Sequence, residues 1–220
     1  MILRMALLHR ATLHPGKLEL LADWLPGRRW YQGPAAADVV RVASFRFDDP
    51  DGAVGIETML VRSGDGPVHQ VPLTYRAAPL PGGDDWLIGT TEHSVLGRRW
   101  VYDACGDPVY ASALAAAIAT GGGQSEEFFE VDGVREVRPP NMTVTGGGTP
   151  GSTVPPVHVV HRVVEDESTT IVTDAAELTV LRRPENGAGG LNGGTPSSAA
   201  LTGSWPGQPT PVALAYAVLR

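Results

Sequence analysis

Apolar residues recur at helical spacing between Lys17 and Leu25, where Leu18, Leu21 and Leu25 share a face beside Trp24 and Pro26-Gly27 stops the run. The period then changes to two. Val40, Val42, Phe45 and Phe47 predict a strand over Val39–Phe47, closed by the turn Asp48-Asp49-Pro50-Asp51-Gly52. Ile56–Arg62 and Val68–Arg76 read as two more strands, joined by the turn Ser63-Gly64-Asp65-Gly66, so three strands form an antiparallel meander. Trp86–Thr91 reads as a fourth. The strongest helix signal covers Pro108–Thr120. Asp107 is an N-cap, Pro108 takes the first helical position, and Gly121-Gly122-Gly123 ends it. Its stripe of Val109, Tyr110, Ala113, Leu114, Ala117 and Ile118 should pack across the meander.

The pattern changes near Gly133. Beyond it only short strands are predicted: Arg135–Arg138, Thr143–Thr145, Val157–Val164, Thr169–Thr173, Leu178–Arg183, Ala199–Trp205 and Val212–Leu219. Their connectors are rich in Gly, Pro and Thr. The expectation is an α+β chain of two units, 1–132 and 133–220, the second all-β with a mobile connector near 186–198.

Composition narrows the partners. A net charge of −7 argues against nucleic acid or an anionic membrane. Cys105 is the one cysteine, so an internal disulfide and C-x-x-C zinc ligation are excluded, and a reducing cytoplasm is the expected compartment. Met1–Leu8 is apolar but short, is broken by Arg4 and has no small-residue cleavage site, so it is not read as a signal peptide; Met5 is an alternative start. Of the 17 basic residues, Lys17 is the single lysine.

Three stretches resemble the maltokinase N-terminal cap domain in order. Leu20–Tyr31, reading L-L-A-D-W-L-P-G-R-R-W-Y, is similar to its first helix and following R-W-F/Y element. His69–Arg76, H-Q-V-P-L-T-Y-R, is similar to its Y-Q-V-P-L-x-Y-R strand. Tyr102-Asp103-Ala104 with Asp107-Pro108 is similar to its Y-D-A…D-P approach to the last helix. The resemblance covers about 12–132 and implies a cystatin-like cap, a curved antiparallel sheet with packed helices. Residues 134–183 resemble, more weakly, the kinase N-lobe that follows the cap: Ser168–Val172 its phosphate-side hairpin, and Leu178–Arg183 its third strand.

The resemblance implies a lysine on that third strand to hold the nucleotide α- and β-phosphates. Its position falls on Thr179, and Lys17 lies far off in the first helix. Arg182 and Arg183 point cations at the region, but a guanidinium fork does not replace an ammonium. No HxD-type catalytic element occurs before Arg220, so the catalytic lobe is expected to be absent.

Other chemistry is weakly encoded. His158 and His161, three apart on a strand, would face opposite sides, which disfavours a metal site. Ser94 lies beside His93 without a nucleophile elbow. Cys105 precedes a helix start, which can lower a thiol pKa, although a small buried thiol is the simpler reading. The glycine runs 121–123, 146–148 and 187–194 read as a helix stop and two flexible linkers rather than phosphate cradles. One short repeat stands out. Arg28, Arg29 and Trp30 recur as Arg98, Arg99 and Trp100, and tryptophan flanked by arginines is a candidate sugar or protein contact. The expected function is a non-catalytic binding, regulatory or scaffold module of α-glucan, maltose or trehalose metabolism, without cofactor, taking a protein partner or a sugar. The alternatives are an N-lobe component that needs a separate C-lobe, and a carbohydrate-binding module.

Overall fold

The structure, a computed structural model, describes residues 5–8, 11–34, 38–131, 134–184 and 199–220. The connector expected to be mobile and the 187–194 glycine run lie outside the described residues.

The described elements begin with β1 (Met5–Leu8), β2 (Leu13–His14) and α1 (Lys17–Trp24), which continues as one 3-10 turn over Leu25–Gly27. Gly16 is the N-cap of α1, and its amide donates to Glu19 Oε2 at 2.6 Å, filling one of the free N–H groups of the first turn. The strands are β3 (Val39–Phe47), β4 (Gly55–Ser63), β5 (His69–Arg76), β6 (Leu87–His93) and β7 (Gly97–Asp103). They pair in the order β2-β6-β7-β5-β4-β3. The meander β3-β4-β5 is present as expected. The fourth strand, β6, does not extend it: β7 inserts between β5 and β6. α1 lies on one face over Met59, Val61, Val71, Leu73 and Val101.

α2 (Pro108–Ala119) begins at Asp107, whose Oδ1 accepts from the Val109 amide at 3.0 Å. Arg76 fixes the same carboxylate with two hydrogen bonds of 2.7 Å. The helix is apolar around most of its circumference, and a helix of that kind is buried on more than one side. It packs against the meander and also against a second sheet. Phe45, Ile56 and Leu60 from below, Leu114 and Ile118 of the helix, and Ile171, Leu178 and Leu214 from above form one continuous cluster.

A three-stranded sheet follows, with β1 parallel to β8 (Glu126–Val131) and β8 antiparallel to β9 (Val134–Arg138). The second six-stranded sheet contains β10 (Thr143–Gly146), β11 (Val160–Glu165), β12 (Ser168–Thr173), β13 (Ala176–Leu181), β14 (Ala199–Trp205) and β15 (Gln208–Leu219). Its order is β10-β14-β15-β13-β12-β11, antiparallel throughout. The chain is therefore mostly strand, with curled antiparallel sheets and two helices among the described residues. No helix among those residues is long and apolar enough to cross a membrane.

Two glycine runs behave differently. Gly121 takes a φ of +68° and the Gly122 amide returns to Ala117 O at 2.9 Å, a helix stop as expected. The 146–148 run is not a flexible linker. Gly147 donates to Ala200 O at 2.7 Å, and Gly148 donates to Ile118 O at 2.8 Å, so the run closes the end of α2. Glycine is required because a Cβ at Gly148 would run into the Ala119 carbonyl.

Candidate functional site: the junction between the two large sheets

Along β13, Leu178 and Val180 are buried, and the alternation carries the next inward position to Arg182. A guanidinium in that position needs partners, since an isolated buried charge is prohibitively costly. Arg182 Nη2 donates to Asp103 Oδ2 at 2.6 Å, and its Nε donates to Thr169 Oγ1 at 2.7 Å. Glu165 lies 3.9 Å from Nη2, and Cys105 Sγ accepts at 3.3 Å. The guanidinium sits over the Trp30 ring, 4.4 Å from its centroid. Trp30 Nε1 in turn donates to Glu165 Oε1 at 3.1 Å. Burial opposes the Arg182 charge, but Asp103 outweighs it and raises the pKa.

The start of β5 closes the other side. The Gln70 amide donates to Arg182 O at 2.8 Å, and Gln70 Nε2 donates to Leu181 O at 3.1 Å and Leu214 O at 2.9 Å. His69 packs between Trp30 and Tyr31, and its Nε2 accepts from the Gln32 amide at 3.1 Å. Burial, helped by the positive charge of Arg183, lowers the His69 pKa to about 4, so the ring is neutral near pH 7. Arg183 donates to Gln32 Oε1 at 2.6 Å. The junction thus joins the 28–34 loop, β5 and β7 of the first sheet to β11, β12 and β13 of the second.

The structure separates the two arginine-tryptophan elements. Trp30 is 2% exposed and belongs to the junction. Arg28 stacks on Trp24 at 4.9 Å, and Arg29 is exposed. On β7, Arg98 pairs with Glu92 at 2.8 Å in solvent, and Arg99 donates to the Arg98 carbonyl at 3.4 Å. Trp100 is half-buried and alternates with Val101, which belongs to the Trp30 cluster, so Trp100 faces the opposite side of the sheet. Arg182 and Arg183 do not reach Thr179 as free cations, because both are engaged at the junction. Thr179 is half-buried between Thr170 and Tyr216. Burial pushes the Cys105 thiol pKa up, which overturns the idea of a helix-activated thiolate. His158 and His161 are exposed, and no cluster of metal-ligating side chains occurs among the described residues.

A second charged group lies inside the first sheet. Glu57 accepts from Lys17 at 2.5 Å, from Tyr75 at 2.9 Å and from Arg46 at 3.3 Å. Burial alone would raise the Glu57 pKa, but Lys17 and Arg46 outweigh it and hold it at about 2. The single lysine is therefore committed to a structural ion cluster.

Residues 24–107 match the family described as the maltokinase N-terminal cap domain. Over that stretch the chain is similar to a maltokinase N-terminal cap domain. The match opens at the end of α1 and closes on Asp107, the N-cap of α2, so it covers five of the six strands of the first large sheet, β3 to β7. No curated protein matches the chain. Three junction residues, Trp30, Gln70 and Asp103, fall within the cap motifs visible in the sequence. Their partners Arg182 and Glu165 lie beyond the matched span.

Proposed function

We propose that this chain is a non-catalytic binding or regulatory module of the maltokinase type, a cap clamped to a kinase N-lobe-like sheet, serving maltose, α-glucan or trehalose metabolism in the cytoplasm. The observation that carries the reading is Arg182. It ties the end of β13 to Asp103 and Trp30 of the cap, three residues from Thr179, the position that the family resemblance gives to the nucleotide-side lysine. A clamp there fixes the nucleotide-side strand to the cap while presenting no ammonium to a triphosphate. The cap then acts by setting the position of that sheet relative to whatever protein or domain engages it.

Thermal unfolding with Mg-ATP tests this. A nucleotide with a Kd of about 0.1 mM, present at about 5 mM, stabilises by about 2 kcal/mol and raises Tm by roughly 4–8 °C. The expected result is no shift. A shift of that size, growing with Mg-ATP concentration, would sink the reading.

A further inference from the structure

Arg138 is the last residue of β9, and Pro139-Pro140 follows. Proline has no N–H to give the ladder, so pairing with β8 stops at Glu127–Arg138 and the chain peels away. The space left between Ser125-Glu126 and Asn141-Met142 is a cavity of about 230 Å³. Its walls are set in advance. The Ser44 amide donates to Asn141 Oδ1 at 3.1 Å, the Ser125 amide donates to Arg46 O at 2.9 Å, and Gln124 holds both Val144 N and Met142 O.

We propose that this cavity binds a neutral polyhydroxylated ring of monosaccharide size. Its volume equals about eight water molecules at ~30 Å³ each, enough for one six-membered ring and below the range of drug-sized sites. Val137 and Pro139-Pro140, all exposed, line it over the buried Phe45 and Met142 and supply an apolar surface for one ring face. At the rim Arg138 donates to Glu127 at 3.2 Å, so a guanidinium and a carboxylate stand side by side. A pair of neighbouring hydroxyls matches that arrangement, one accepting from Arg138 and the other donating to Glu127. Charge selects against anions. Arg46 and Arg138 are balanced by Glu126 and Glu127, and Arg46 is also drawn on by Glu57, leaving no surplus for a phosphate.

The cavity shares no residue with the Arg182 junction, so this proposal and the functional reading above fail separately. The test is saturation-transfer NMR on the full chain with glucose, myo-inositol and glucose 6-phosphate, and with Glu127→Gln and Arg138→Ala variants whose Tm is checked. Glucose or inositol should bind with a Kd of about 1–10 mM, more tightly than glucose 6-phosphate, and each variant should weaken binding about tenfold with Tm little changed. No transfer at about 50 mM of either neutral ring, tighter binding of the phosphate, or unchanged binding in folded variants would each overturn it.

Discussion

Arg182 lies over the indole of Trp30, 4.4 Å from the ring centroid, with its charge matched by Asp103 at 2.6 Å. All three side chains are buried. Removing one partner of such a pair leaves the other as an uncompensated interior charge, which costs about 3–5 kcal/mol. Arg182→Met and Asp103→Asn should each destabilise the fold by an amount in that range, read from the shift of the urea midpoint at unchanged slope. The double variant should recover part of the loss, because neither charge is then stranded. Additive losses in the double-mutant cycle would show that the pair is not coupled.

His69 gives the chain a pH dependence of defined sign. Its pKa is about 4 in the fold, against about 6.5 when unfolded. Between those values the unfolded state binds the proton that the folded state refuses. Stability therefore falls as pH drops from 6.5 to 4, by up to about 3 kcal/mol. His69→Gln keeps an acceptor for the Gln32 amide and does not titrate. Its stability between pH 4 and 6.5 should be flatter than that of the parent, measured by urea unfolding at each pH. Glu57, with its pKa lowered to about 2, acts in a separate window. Its contribution is present above about pH 4.5 and is lost below that value.

Three neighbours depend on Glu57, since Lys17, Arg46 and Tyr75 all donate to one carboxylate oxygen on a buried strand. Glu57→Gln should cost about 3 kcal/mol by stranding two cations. Lys17→Met should cost about 1 kcal/mol, because Arg46 and Tyr75 remain. Denaturant midpoints order the two, and a Lys17 variant as costly as the Glu57 variant would contradict this ranking.

The strands and α2 were legible because their signals are local: period-two apolar positions, Asp107 before Pro108, glycines after Thr120. The insertion of β7 between β5 and β6 was not, because Gly97–Asp103 carries two exposed-looking arginines and its pairing is decided by tertiary contact. Arg182 marks the sharpest limit. Arg182 and Arg183 read as cations pointing toward the Thr179 region, yet the alternation Leu178, Val180, Arg182 places one of them inward. Its counter-charge Asp103 is 79 residues away in sequence, so no local pattern could show that the charge is matched. The cavity beside Pro139-Pro140 was equally hidden, since it arises where a ladder ends rather than from any motif.

The glycine run at 146–148 offers a test of how tightly α2 is held between the sheets. Gly148 donates to Ile118 O at 2.8 Å, and Thr149 donates to Ala119 O at 3.0 Å, so the run takes up carbonyls that the helix end leaves free. A Cβ at Gly148 would overlap the Ala119 carbonyl, and one at Gly146 would overlap that of Ala117. Backbone lies on both sides of each contact, so relief requires shifting either the helix or the β10 end. Gly148→Ala should therefore destabilise by about 3 kcal/mol or more. Gly27→Ala is the control, because nothing lies within 4 Å of its Cβ position, and its change should stay within about 0.5 kcal/mol. Both are read from urea midpoints at unchanged slope. A near-neutral Gly148→Ala would mean that the end of α2 yields freely, and the continuous core linking the two sheets would then be looser than the packing of Leu114 and Ile118 requires.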